Sequence, residues 1–229
     1  MQKYLKLKLH NNEQTIGSWI TLSNTGIAEI MANAGFDWIV VDLEHSMISI
    51  ETAGELIRVI DLAGVPPLVR LTSNHPDQIK RVMDAGAHGI IVPMVKTKGD
   101  AEQAVSSVYY PPKGIRGVGL ARAQDYGIGF HEYRDWLEEN AIIIVQIEHI
   151  DAVNNLKDIL SVDGVDGYII GPYDLSASLG VSGEFDHSFM IEAMNEIYSK
   201  SNNKVIVDTR LENFLPMMNL KNKEKKGFD

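Results

Sequence analysis

The sequence contains no cysteine. That absence excludes disulfides, thiolate metal sites and a cysteine nucleophile, and it fits a reducing compartment. No apolar run approaches the ~20 residues of a membrane-spanning helix, and Met1 to Lys8 carries charges without a continuous apolar core, so neither a span nor a secretory leader is expected. Cations are in deficit: 21 Lys and Arg against 31 Asp and Glu leave a formal net charge of −10, which argues against nucleic acid or an anionic membrane surface as the partner. There is no Gly-x-Ser-x-Gly elbow and no Walker loop. Gly114, Gly117 and Gly119 neither follow a strand nor open a helix, which argues against a dinucleotide fingerprint. Only Lys96 follows a strand, so a Schiff-base mechanism is less attractive than a metal-assisted one. The expectation is a cytoplasmic protein acting on small molecules.

What is present is ample core material: 45% of the 229 residues are hydrophobic, and nothing resembles an interdomain linker, so residues 1–229 read as a single domain. The most informative stretch is Ala141 to His149. Five consecutive apolar residues, four of them β-branched, run without alternation and stop at Gln146, Glu148 and His149. This is the pattern of a strand buried on both faces whose C-terminal end carries chemistry. Gly167 to Asp174 repeats the design. Further strands are expected near residues 15–20, 36–45, 67–71, 89–95 and 204–208, separated by helices over 26–34, 50–62, 76–85, 98–108, 132–139, 152–160 and 189–199. Residues 110–119 are too rich in Gly and Pro for a regular element.

Strands alternating with helices predict a parallel α/β sheet. A short repeat sharpens the topology: Ala34-Gly35-Phe36-Asp37, Ala85-Gly86-Ala87-His88 and Asp163-Gly164-Val165-Asp166 each precede a strand, the second, fourth and sixth. Lys226-Gly227-Phe228-Asp229 is a further copy with no strand after it. The expected fold is therefore a TIM (β/α)₈ barrel truncated before strand eight, with a seven-stranded open sheet as the competing topology. The Lys221 to Lys226 run reads as a solvated helix end.

In such a barrel the active site lies at the C-terminal ends of the strands. The candidates there are Asp42, Glu44 and His45 after strand two, Arg70 after strand three, Gln146, Glu148 and His149 after strand five, and Asp174 after strand six. Glu148 and Asp174 suit a divalent ion with open positions for substrate and water; Arg70 suits a developing oxyanion; His45, oriented by Asp42, suits proton transfer. Singly, each has a structural alternative: Asp174 as a helix cap, Glu148 or Arg70 as an ion-pair partner, His45 as a surface histidine. The remaining histidines, His10, His75, His88, His131 and His187, sit in helices, helix starts or strand entrances, where structural roles are expected.

At these residues the chain resembles the HpcH/HpaI family of metal-dependent class II pyruvate aldolases. The matching stretches include Gly17-Ser18-Trp19, Asp42-Leu43-Glu44-His45-Ser46, Leu68-Val69-Arg70, Tyr110-Pro111-Pro112-Lys113-Gly114, Gln146-Ile147-Glu148 and Gly171-Pro172-Tyr173-Asp174-Leu175-Ser176. The resemblance implies cleavage of 4-hydroxy-2-oxo acids to pyruvate and an aldehyde through a metal-stabilised pyruvate enolate. It implies Glu148 and Asp174 as ligands of Mg²⁺, Mn²⁺ or Co²⁺, Arg70 at the enolate oxygen, and His45 with Asp42 in proton transfer. It further implies Gln146, Gly171, Pro172 and Tyr173 as substrate contacts, specificity in loops such as Arg116 to Gly129, and a homo-oligomer, a trimer or hexamer. The alternatives are an acyl-coenzyme A lyase of the malyl or citramalyl type and a catalytically silent binding or assembly subunit.

Overall fold

The computed structural model describes residues 4–201 and 205–207. Seven strands, β1 (Gly17–Ile20), β2 (Trp38–Asp42), β3 (Pro67–Arg70), β4 (Gly89–Val92), β5 (Ile142–Ile147), β6 (Gly167–Ile170) and β7 (Val205–Val207), form one sheet. Every neighbouring pair is parallel and the spatial order follows the sequence, the winding of successive strands in a (β/α)₈ barrel. The copy of the repeat at Lys226 to Asp229, the strand eight inferred from it, and the helix end expected at Lys221 to Lys226 lie outside the described residues.

The connecting helices are α2 (Thr25–Ala32), α3 (Ile50–Leu62), α4 (Pro76–Asp84), α5 (Lys98–Val108), α6 (Phe130–Asn140), α7 (Ile150–Asn154), α8 (Leu156–Leu160), α9 (Pro172–Ser178) and α10 (Ser188–Lys200). Asn24, Ser49 and Thr97 side chains cap their starts by accepting backbone N–H groups, and Pro76 opens α4. The repeat glycines Gly35, Gly86 and Gly164 have φ of 88°, 104° and 95°, the left-handed geometry that turns each helix into its next strand. One expected helix, 152–160, is broken at Asn155 into α7 and α8. Pro111–Pro112 is a cis bond within the irregular stretch.

The two burial layers explain why the strands do not alternate. Ile39, Val41, Val69, Ile143, Val145 and Tyr168 pack outward against the helices, whereas Val40, Leu68, Ile91, Ile142, Ile144 and Ile169 fill the interior. Both faces are apolar, so the period of two is masked in the sequence.

An element not anticipated from sequence closes the floor of this interior. Helix α1 (Tyr4–His10) inserts Leu5 and Leu9 among Val40, Leu68, Ile91 and Ile142. Lys6 Nζ donates to the Ala141 carbonyl at 2.6 Å and pairs with Asp166 at 3.0 Å, and Lys8 pairs with Asp37 at 2.7 Å. Asp37 and Asp166, the acids that end two copies of the repeat, are thus the anchors of α1. Seven residues with two buried leucines present too little periodicity to announce a helix.

Candidate active site

The interior face, followed upward, changes from apolar to polar at the C-terminal strand ends. Residue alternation places Val40 below Asp42, Leu68 below Arg70, and Ile142 and Ile144 below Gln146. Asp42 and Arg70 are register partners on adjacent strands, so their side chains meet directly. Arg70 Nε donates to Asp42 Oδ1 at 2.8 Å and its terminal nitrogen to Oδ2 at 2.6 Å, a bidentate fork. The guanidinium also lies 4.7 Å from the Trp19 ring centroid and 3.3 Å from Glu44 Oε2. Burial alone would raise the Asp42 carboxyl, but the hydrogen bond and charge of Arg70 outweigh it and hold the group below the ordinary carboxylate range.

This geometry corrects one expectation. Asp42 does not orient the His45 imidazole; it accepts the backbone N–H groups of Glu44 and His45, at 3.0 and 3.4 Å, and commits its carboxylate to Arg70. The His45 ring is largely exposed and lies 3.9 Å from Glu44 Oε2. The cause is register: Asp42 faces Arg70 within the sheet, while His45 is past the strand end.

Glu148 is buried, at 1% exposure. Its Oε1 accepts the Met94 N–H at 2.6 Å and its Oε2 the Gln146 side-chain amide. Among the described residues it forms no ion pair; its hydrogen-bond donors are neutral. Gly171 is required beside it, since a Cβ there would stand 2.6 Å from Glu148 Oε2 and 2.8 Å from Glu148 Cβ. Burial, and then the negative charge of Glu148, raise the Glu44 carboxyl above its ordinary value against the pull of Arg70.

Above these groups opens a cavity of about 340 Å³, lined by Trp19, His45, Arg70, Gln146, Ile169 and Ile170 and closed on one side by Gly171, Pro172, Tyr173 and Asp174. Asp174 stands in the first turn of α9. It is not the helix cap, a position held by Gly171, and among the described residues its carboxylate takes no hydrogen bond or ion pair. Seven of the expected residues, His45, Arg70, Gln146, Gly171, Pro172, Tyr173 and Asp174, therefore share one cavity, while Asp42 and Glu148 support it from below.

Some expectations did not lead here. His149 caps α7 by accepting the Asp151 N–H, as His75 and His187 cap α4 and α10. No residue of the loop from Arg116 to Gly129 lines the cavity. Arg116 itself is buried, donating to the hydroxyls of Tyr110 and Tyr133 at 2.9 and 2.8 Å. Sequence reasoning gave no role to Trp19, to Glu44 as a partner of Arg70, or to the Met94 N–H. Trp19 was visible only within a matched stretch, and a backbone donor has no sequence signature.

The donor set fits a hard divalent cation. Glu148 and Asp174 offer carboxylate oxygens, the ligands such ions prefer. Gln146 Oε1 is buried without a hydrogen-bond donor, Glu44 Oε2 takes only the ion pair with Arg70, and Glu44 and Glu148 repel one another. Among the described residues no three His, Asp or Glu side chains converge to hold an ion unaided, so substrate oxygens and water would complete the shell.

Comparison with known proteins settles the family. The model of the HpcH/HpaI aldolase/citrate lyase family matches residues 15–214. The chain belongs to this family. A 4-hydroxy-2-oxo-heptane-1,7-dioate aldolase of Salmonella typhimurium is 41% identical over 189 residues, covering 82% of this chain and 72% of the relative. A hydroxypyruvate/pyruvate aldolase of Sagittula stellata is 39% identical over 196 residues, 85% and 77% of the two chains. Among solved structures, an HpcH/HpaI family protein from Burkholderia cenocepacia superposes with a TM-score of 0.82 at 31% identity, covering 90% of this chain and 82% of that one. The citrate synthase SbnG superposes with a TM-score of 0.80 at 28% identity, covering 96% and 87%. The family assignment supports an enzyme of the lyase type and gives the chain the fold of the TIM-barrel members. No helix among the described residues is long and apolar enough to cross a membrane.

Proposed function

We propose that the chain, as a single barrel domain, cleaves 4-hydroxy-2-oxo acids to pyruvate and an aldehyde, and runs the reverse addition, with a divalent ion held by Glu148 and Asp174. The observation that carries this reading is the Arg70 guanidinium, held bidentately by Asp42 and turned into the cavity beside Glu148 and Gln146. Breaking the C3–C4 bond of such an acid transfers its electron pair to C3 and, by conjugation, to the 2-oxo oxygen. Arg70 stands to stabilise that oxygen, and because Asp42 fixes its orientation in advance, little reorganisation is needed as charge develops. The ion, when bound, supplies Lewis-acid stabilisation of the same charge.

His45, on the cavity wall, exchanges a proton with the 4-hydroxyl through Nε2; that proton must leave as the aldehyde carbonyl forms. The C3 carbon of the enolate then takes up a proton, which His45 returns directly or through solvent, giving pyruvate and restoring the neutral imidazole. Trp19 lies against the Arg70 guanidinium, and Ile169 and Ile170 add apolar lining to the cavity. The names of the aldolase relatives support the choice of substrate class.

The test is pyruvate release from 4-hydroxy-2-oxo acids with EDTA and then with Mg²⁺, Mn²⁺ or Co²⁺ restored. Turnover abolished by EDTA and recovered with metal is expected. Undiminished turnover in EDTA would remove the ion from the mechanism, and absence of turnover with every metal would remove the aldolase reading.

A further inference from the structure

Met94 has a backbone conformation that its own side chain does not explain. Strand β4 ends at Val92, Pro93 follows, and Met94 adopts φ of 53°. Proline followed by a positive φ is the pattern of a type II turn, whose third position ordinarily falls to glycine or asparagine. Methionine has no polar atom to hydrogen-bond its own backbone there, and the left-handed region is costly for an L side chain. Nor does the side chain repay the cost by burial, since Met94 is 44% exposed.

The use of the conformation lies in the main chain. The turn directs the Met94 N–H into the site, 2.6 Å from Glu148 Oε1. The segment behind it is locked: Asn155 Nδ2 donates to the Lys96 carbonyl at 2.9 Å, and Asp100 accepts the Lys96 and Thr97 N–H groups at 3.0 and 2.9 Å. A strained residue persists only where its surroundings over-determine it, and such residues gather at functional sites. Glu148 is thereby held on three sides, by the Met94 N–H, the Gln146 amide and the bare backbone of Gly171. Neutral donors orient the carboxylate without cancelling its charge.

We infer that the left-handed backbone at Met94 is a positioning device for Glu148, setting its carboxylate for a divalent cation before the ion arrives. The inference rests on Glu148 being a cation ligand. Met94 is a positioning residue that acts through its φ angle and N–H, so its side chain is replaceable by any residue that accepts the left-handed region. A carboxylate oriented in advance loses less freedom when the ion binds, which raises affinity.

The experiment is direct titration of Mn²⁺ against the metal-stripped protein, read by loss of the free-ion electron paramagnetic resonance signal, on wild type and on M94G, M94N, M94V and E148Q. Glycine and asparagine tolerate positive φ, whereas β-branched valine does not. M94G and M94N are expected to keep Mn²⁺ affinity within about threefold and to melt no lower in EDTA than wild type. M94V is expected to weaken Mn²⁺ about tenfold, the order of the strain involved. Weakening in a folded M94G or M94N overturns the inference whether or not M94V folds, because the side chain would then be what matters. Wild-type affinity in M94V overturns it too. If E148Q binds Mn²⁺ like wild type, the cation site falls and the inference with it; if E148Q loses Mn²⁺ while M94V does not, the inference falls alone.

Discussion

Adding one methyl group at Gly171 tests how tightly Glu148 is confined. The new Cβ would lie 2.8 Å from Glu148 Cβ and 2.6 Å from its Oε2. Comfortable carbon–carbon contact is about 3.5–4.0 Å, so one partner must move by about 1 Å. Oε2 alone could swing aside, but the Cβ belongs to the strand exit and Oε1 is tied to Met94 at 2.6 Å. The carboxylate therefore leaves its position. The Gly171 backbone, at φ −96° and ψ 90°, is open to alanine, so none of the effect comes from backbone strain. Overpacking costs about 1–3 kcal/mol, offset by about 0.4–1 kcal/mol from the stiffer unfolded chain, which leaves a net loss of about 1–2 kcal/mol and a fall in Tm of a few degrees. A misplacement of about 1 Å at a catalytic group costs on the order of 10²-fold in turnover. Gly171→Ala is thus expected to remain folded, lose pyruvate release by about two orders of magnitude and bind Mn²⁺ more weakly. Turnover and Mn²⁺ affinity both within threefold of wild type would refute the confinement of Glu148.

Two further substitutions probe the neighbouring groups. Arg70→Lys keeps the charge but not the fork to Asp42, so turnover is expected to fall about 10²–10³-fold with the fold intact; near-normal kcat would show that charge alone suffices at the oxyanion. Glu44 has a folded pKa above its ordinary 4.5, so it contributes stability only when protonated, and that contribution is lost as pH rises through the folded value. Glu44→Gln should therefore match wild type in denaturant below pH 4.5 and exceed it at neutral pH; equal midpoints at both would show that Arg70 fully compensates the buried charge.

Helices and strands were legible because their signals are local. The helices Ile50–Leu62 and Lys98–Val108 fall where the sequence pattern indicates, and the repeat glycines mark turns from helix into strand. Alternation of element types predicted a parallel sheet, and the short repeat before strands two, four and six pointed to the barrel order. Helix α1 escaped because its stability comes from filling the barrel floor rather than from its own seven residues.

Of the site, the sequence by itself determined which residues stand at the strand exits, because the ends of the unalternating apolar runs decide that much. Asp42, Arg70, Glu148 and Asp174 were identified on this ground. Only the tertiary structure decided who faces whom. The register of β2 against β3 gives Asp42 to Arg70 rather than to His45. The turn after β4 brings a main-chain N–H to Glu148 across 54 residues of sequence. The position of β6 beside β5 makes Gly171 the residue that has to be small. These are contacts between elements, set by sheet register and by the close approach of backbones, and neither leaves a periodic trace in the order of residues.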